Sequence, residues 1–239
     1  MMMSMMATIS LAIAGGFAIL KGIGVFMSSI PEWKSGLIKG YHNFRAGAYR
    51  REKGLYEELG KHGQSPKVML IACADSRADP GDIFDSHPGE LFVVRNVANL
   101  VPPRDGTEGY HGTSAALEFA VQALKVEAIV VMGHESCGGI DACLRGEGDR
   151  AQGYVGKWIS MLNGARDAVV KRAEPCDYQR ELEFEGIRQS LRHLESFPCV
   201  KKRVEDGSLA LMGAYFSIIK GVLMFADGAD GEFREVPTK

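Results

Sequence analysis

Short unbroken apolar runs and longer stretches of helical periodicity alternate along this chain. The runs are VMLIACA (68–74), LFVVRN (91–96), AIVVMG (128–133), LALMGAYFS (209–217) and GVLMFAD (221–227). They are strand-length and rich in apolar and β-branched residues, so they predict buried strands rather than half-exposed ones. TSAALEFAVQALK (113–125) lies between the second and third runs and predicts a helix, with Thr113 or Ser114 as N-cap. Strand, helix and strand in this order predict a parallel sheet with right-handed crossovers. Further helices are expected from Ser35 to about His62, with Leu37, Tyr41, Phe44, Tyr49 and Leu55 loosely at helical spacing, and through IDACLRG (140–146). In two later helical stretches Tyr154, Trp158, Met161, Ala165 and Val169 share one face, and Phe184, Ile187, Leu191 and Leu194 another, before Pro198 stops the second. The fold class is therefore α/β: a mostly parallel central β-sheet flanked by helices, with a helical N-terminal arm.

Composition changes this picture little. With 239 residues, 46% hydrophobic and 24% charged, the chain is long enough for a sizeable core. A formal net charge of −2 and the lack of a basic, aromatic-laced patch argue against nucleic acid or an anionic membrane as partner. Five cysteines make no disulfide framework in so long a chain, which points to free thiols and a cytoplasmic setting. Residues 1–26 are set apart from a catalytic domain over 27–239. This extension is apolar, interrupted only by Lys21, and three readings stay open. Met27 could be the true start. Residues 5–26 could anchor the chain, with Lys34, Lys39, Arg45, Arg50 and Arg51 holding the domain on the cytoplasmic face. The segment could also be a cleaved export signal, although it lacks the usual positive start.

Chemistry concentrates at two strand ends. The first strand closes in IACADSR, where Cys73, Asp75 and Arg77 occupy alternate positions, so an extended chain would turn all three to one side. The third closes in GHESCGG, where His134 and Cys137 are spaced H-x2-C ahead of a glycine pair. Ends of parallel strands lie along one sheet edge, where open α/β sheets place their sites. Cys73, His134 and Cys137 can therefore converge, and two thiolates with an imidazole suit zinc with a fourth position left open.

CADSR followed by HESC resembles the C-x-D-x-R and H-x2-C pair of β-class carbonic anhydrases. PGELFVVRNVANLVPP (88–103), the Glu118–Phe119 helix and GHESCGGI (133–140) resemble the plant-like branch of that family. The resemblance spans roughly residues 35–225. It implies zinc-dependent interconversion of carbon dioxide and bicarbonate through zinc-bound hydroxide, in a homodimer or higher oligomer. Cys73, His134 and Cys137 match the zinc ligands, and Asp75 and Arg77 the dyad beside the metal. Gln64 matches a glutamine that reaches the substrate site across the subunit interface. Phe92, Val97 and Phe119 match apolar wall positions, Phe119 standing where some relatives have tyrosine, and Gly138 matches the glycine whose N–H lies near substrate. RNVANLVPP and Gln64 resemble the branch whose zinc is open.

Other functions fit the same residues. Carbonyl sulfide or carbon disulfide hydrolysis would use the same ligands, with pocket access deciding. A zinc-binding scaffold without turnover would not need Asp75 and Arg77. His87, His111 and His193 read as surface or capping residues, and Glu135 has no role assigned from sequence.

Overall fold

A computed structural model describes residues 30–104, 110–150 and 152–237. The extension 1–26, with its readings as mis-set start, anchor or signal, lies outside the described residues. Among the described residues no helix is long and apolar enough to cross a membrane. The chain divides into two compact units, one ending at Lys61 and the other running from His62 to Lys239.

In the first unit the expected amphipathic stretch forms helices Glu32–Ala46, Ala48–Arg51 and Lys53–His62, which continues one residue past the division. Gly47 breaks the first from the second, and its N–H caps the first on the Asn43 carbonyl. No described residue of these three helices is buried. Their order rests on Phe44, Tyr49 and Tyr56, whose rings meet pairwise at 5.1–5.9 Å, with the Arg45 guanidinium 4.6 Å from the Tyr49 ring.

The second unit is built on a six-stranded sheet in the order β2-β1-β3-β4-β5-β6, where β1 is Val68–Cys73, β2 Leu91–Asn96, β3 Ala128–His134, β4 Ala210–Ser217, β5 Val222–Asp227 and β6 Arg234–Glu235. The first four run parallel, and β5 and β6 turn back antiparallel. β1 and β3 are buried almost throughout, as the unbroken runs require, while β2 is half-exposed at the edge. Met69, Ile71, Ile129 and Val131 pack on one face against Leu117, Ile187 and Leu191, and Leu70, Ala72, Val130 and Met132 fill the other.

Local departures from the sequence expectation have simple causes. The 112–124 segment is α-helical over Gly112–Glu118 and then widens into a π-helix over Phe119–Leu124. The stretch expected to share a face from Tyr154 to Val169 is split into helix Gly153–Ile159, a 3₁₀ turn Ser160–Leu162 and helix Asn163–Arg172, and Tyr154 is fully exposed. The change of pitch rotates Tyr154 away from buried Val169. Pro198 follows the helix Tyr178–Leu194 as expected and then opens another, Pro198–Glu205, at a first-turn position where its missing N–H costs nothing.

Candidate metal centre

The chain leaves β1 for β2 on one side and returns to β3 on the other, so a crevice opens between the carboxyl ends of β1 and β3. Met132 is level with Ala72, which places the last residues of β3 beside the end of β1. Cys73 closes β1, His134 closes β3, and Cys137 stands just before helix Gly138–Leu144. Their ligand atoms all lie within 4.8 Å of one another, and all three residues are buried. The Cys73 and Cys137 sulfurs are 3.9 Å apart.

These residues fit a soft divalent metal. His134 Nδ1 lies 2.9 Å from the Glu135 carbonyl, which only accepts, so Nδ1 carries the proton and Nε2 a lone pair. Nε2 is fully buried and has no hydrogen-bond partner. A buried imidazole nitrogen facing two thiols is otherwise costly, and a metal satisfies it. The thiols themselves behave as a pair. Contact with Cys137, together with His134 and the backbone at Asp75 and Ala98, brings the Cys73 thiol down to about 4 against the cost of burial. The same contact, with burial, pushes Cys137 well above the usual thiol range. Burial pulls the His134 imidazole down, but its bonds to Cys73 and the Glu135 carbonyl outweigh that and leave it raised.

The Asp75–Arg77 dyad reaches the crevice by a different route from the one expected. β1 ends at Cys73, so strand alternation does not carry Asp75 and Arg77 onto its face; a turn does. Asp75 Oδ1 accepts from the Arg77 backbone N–H and Nε, both at 2.9 Å, and Oδ2 accepts from Nη2 at 2.7 Å. Arg77 Nη2 also donates to the Ser136 carbonyl at 3.0 Å, tying the CADSR turn to the HESC turn. Asp75 Oδ2 lies 3.9 Å from His134 Nε2 and so faces the same space as the sulfurs. The Arg77 guanidinium holds the Asp75 carboxyl far below the usual carboxylate range.

Sequence reasoning missed two supports of this centre. Arg95, at the end of β2, donates from Nε to the Cys73 carbonyl at 2.9 Å, from Nη2 to the Asp75 carbonyl at 2.6 Å and from Nη1 to Asp79 Oδ2 at 2.5 Å. Its signal was a charge inside an otherwise apolar run. Behind Cys137, the buried Glu183 accepts the Cys137 N–H at 2.9 Å. Its signal was a carboxylate four residues before Ile187, on the apolar face of its helix. Glu135, unassigned from sequence, accepts from Ser217 Oγ at 2.8 Å and the Ile219 N–H at 3.0 Å, joining the HESC turn to the end of β4.

The remaining expected site residues are dispersed within one chain. Gly138 opens its helix with free space around it. Val97 packs against Gly139, where a Cβ would meet Val97 Cγ1 at 2.8 Å and the Ala98 Cβ at 3.0 Å. Only glycine allows that approach. Val97 also lines an open apolar groove of about 310 Å³ with Asn96, Tyr154, Val155 and Trp158, and Trp158 Nε1 donates to the Val97 carbonyl at 2.8 Å. Phe92 and Phe119 contact each other, ring centroids 5.9 Å apart, and Phe119 is half-exposed. Phe92 is level with Met69, four residues before Cys73, on the order of 13 Å along the strand. Gln64 is exposed ahead of Val68, at the opposite end of β1 from Cys73. Among the histidines, His193 Nδ1 bonds the Val101 carbonyl at 2.7 Å and His111 stands at the N-cap of helix Gly112–Glu118.

Comparison with known proteins agrees with this geometry. The family described as carbonic anhydrase matches residues 68–223. β carbonic anhydrase 3 of Arabidopsis thaliana is 36% identical over 188 residues, covering 76% of this chain and 72% of the relative. Among solved structures, the β-carbonic anhydrase CcaA superposes with a TM-score of 0.78 at 32% identity, over 87% of this chain and 94% of that one. The β-carbonic anhydrase CafA of Aspergillus fumigatus does so with a TM-score of 0.68 at 26% identity, over 84% and 93%.

Proposed function

The chain belongs to the β-class carbonic anhydrases, a family of lyases that hydrate carbon dioxide, and from that premise we propose that it works with zinc held by Cys73, His134 and Cys137. The observation that carries this is the orphaned His134 Nε2 facing two buried sulfurs. Zinc, when bound there, supplies a Lewis acid that brings the pKa of water from 15.7 to about 7.

The chain's own residues supply orientation. Asp75 has both oxygens engaged by Arg77, so it stays ionised and cannot swing freely toward the sulfurs. It accepts a hydrogen bond at Oδ2 from the attacking water and aims a lone pair at the substrate carbon. Arg77 acts through Asp75 and, by its bond to the Ser136 carbonyl, keeps the two turns in register. Carbon dioxide is apolar and is best received by a dry wall, which Val97 begins on this chain.

We infer that the chain works as a homodimer or higher oligomer. The separation of Gln64, Phe92 and Phe119 from Cys73 supports this, because those residues can then line the site of a second copy. A donor from Gln64 would meet the oxygen on which charge develops.

The test separates metal from turnover. Zinc content by atomic absorption and carbon dioxide hydration by stopped flow are measured on wild type and Arg77→Leu. Retained zinc with hydration lowered about 100-fold is expected. Full activity in Arg77→Leu would sink the role given to the dyad.

A further inference from the structure

We propose that Glu183 is a positioning residue for the metal centre: its buried carboxylate fixes the Cys137 residue and so sets where that thiolate stands. This rests on the reading that Cys73, His134 and Cys137 hold zinc.

Glu183 lies on helix Tyr178–Leu194 and is 3% exposed. An apolar side chain there would simply extend the face formed by Phe184, Ile187 and Leu191. A carboxylate stands there instead, and its contacts converge on one ligand. Oε1 accepts the Cys137 N–H at 2.9 Å and Gln179 Nε2 at 2.7 Å, and Oε2 accepts Tyr215 Oη at 2.9 Å. Gln179 Nε2 also donates to the Cys137 carbonyl at 3.0 Å. Gln179 and Glu183 are four residues apart on one helix, so they present one edge to both backbone polar groups of Cys137. Tyr215, level with Gly133 in the sheet, fixes the carboxylate from the strand side.

The loop needs this support. Ser136, immediately before Cys137, is held at φ +57, a region a serine rarely adopts. From there the Cys137 N–H is directed into the interior, where water is excluded and an unmet donor is costly. Glu183 meets it. The arrangement differs from the Asp75 side of the site because Glu183 faces the interior behind the ligand rather than the crevice between β1 and β3. It acts through Cys137, not on substrate.

The experiment compares wild type with Glu183→Ala, Glu183→Gln, Gln179→Ala and Leu191→Ala. Zinc affinity is read by competition with a chromophoric chelator. Ligand geometry is read from the absorption bands of the cobalt-substituted protein. Glu183→Ala is expected to bind zinc about 10–100-fold more weakly, with shifted thiolate–cobalt bands. Glu183→Gln keeps an oxygen for the Cys137 N–H and an amide for Tyr215, so it should restore affinity and spectrum toward wild type. Gln179→Ala should weaken binding several-fold, and it carries the test if Glu183→Ala does not fold. Leu191→Ala, buried two turns further along the same helix, should melt earlier while keeping affinity and bands. Wild-type affinity and bands in Glu183→Ala, or in Gln179→Ala where the former does not fold, would overturn the proposal. So would an equal loss of affinity in Leu191→Ala, since the effect would then be general destabilisation. A wild type that takes up no zinc would overturn the zinc reading itself, and the proposal with it.

Discussion

The two turns that present the sulfurs are held in opposite ways. The CADSR turn is secured at the surface by charges: Asp75 on Arg77, and Arg95 on the Cys73 and Asp75 carbonyls. The HESC turn is secured from within by Glu183, Gln179 and Tyr215, behind a ligand that is almost fully buried. Charges that meet the crevice can act on a reacting molecule, whereas groups sealed behind Cys137 can act only through the ligand. Changes on the first side should therefore appear in turnover and changes on the second in metal binding. Arg77 is the bridge, since it touches Asp75 on one turn and Ser136 on the other.

Replacing a ligand breaks the comparison altogether. Cys73→Ala or Cys137→Ala should leave almost no zinc on the purified protein by atomic absorption, and no hydration above background. Next in size is Arg77→Leu, whose loss of about 100-fold in kcat with zinc retained sets the surface side apart. Arg95→Met releases two carbonyls and Asp79 at once. It should lower turnover about tenfold and also weaken zinc several-fold, because one of those carbonyls belongs to Cys73. Gly139→Ala forces its Cβ onto Val97 and Ala98 and should cost about 1–3 kcal/mol in chemical denaturation.

The smallest effect concerns how dry the interior is behind the HESC turn. Cys143, on the helix that follows Cys137, is buried, and burial pushes its thiol up to about 11. Its folded pKa lies above its unfolded value, so the folded state holds that proton more tightly. Stability should then be indifferent to this group at neutral pH and fall as pH rises from about 9 through 11. Cys143→Ala should flatten that alkaline decline when melting temperature is followed against pH. An identical decline in both proteins would show that the interior there is wet.

How far the sequence speaks for itself also differs between the two sides. The five long strands were legible because β-branched and apolar runs between polar breaks have few other solutions, whereas β6, two residues long, has no pattern to read. The ligand set was legible because H-x2-C and a strand-terminal cysteine meet at a parallel sheet edge. That Asp75 and Arg77 arrive by a turn was not, since alternate spacing looks the same in a strand and in a turn that folds back on itself. Glu183 is 46 residues from the cysteine it supports. Helical periodicity marks it as out of place on an apolar face without naming its partner. Phe92 and Phe119 show the limit most plainly: a single chain brings them to each other and not to the sulfurs.

The central claim is that Cys73, His134 and Cys137 hold zinc with Asp75 locked beside it, and that this centre hydrates carbon dioxide. The most direct test is stopped-flow hydration by the zinc-loaded full chain from about pH 6.5 to about 9, with zinc content measured on the same sample. The account predicts activity that rises along a single titration and is lost when the zinc is removed. A full equivalent of zinc with no hydration at any pH would contradict it.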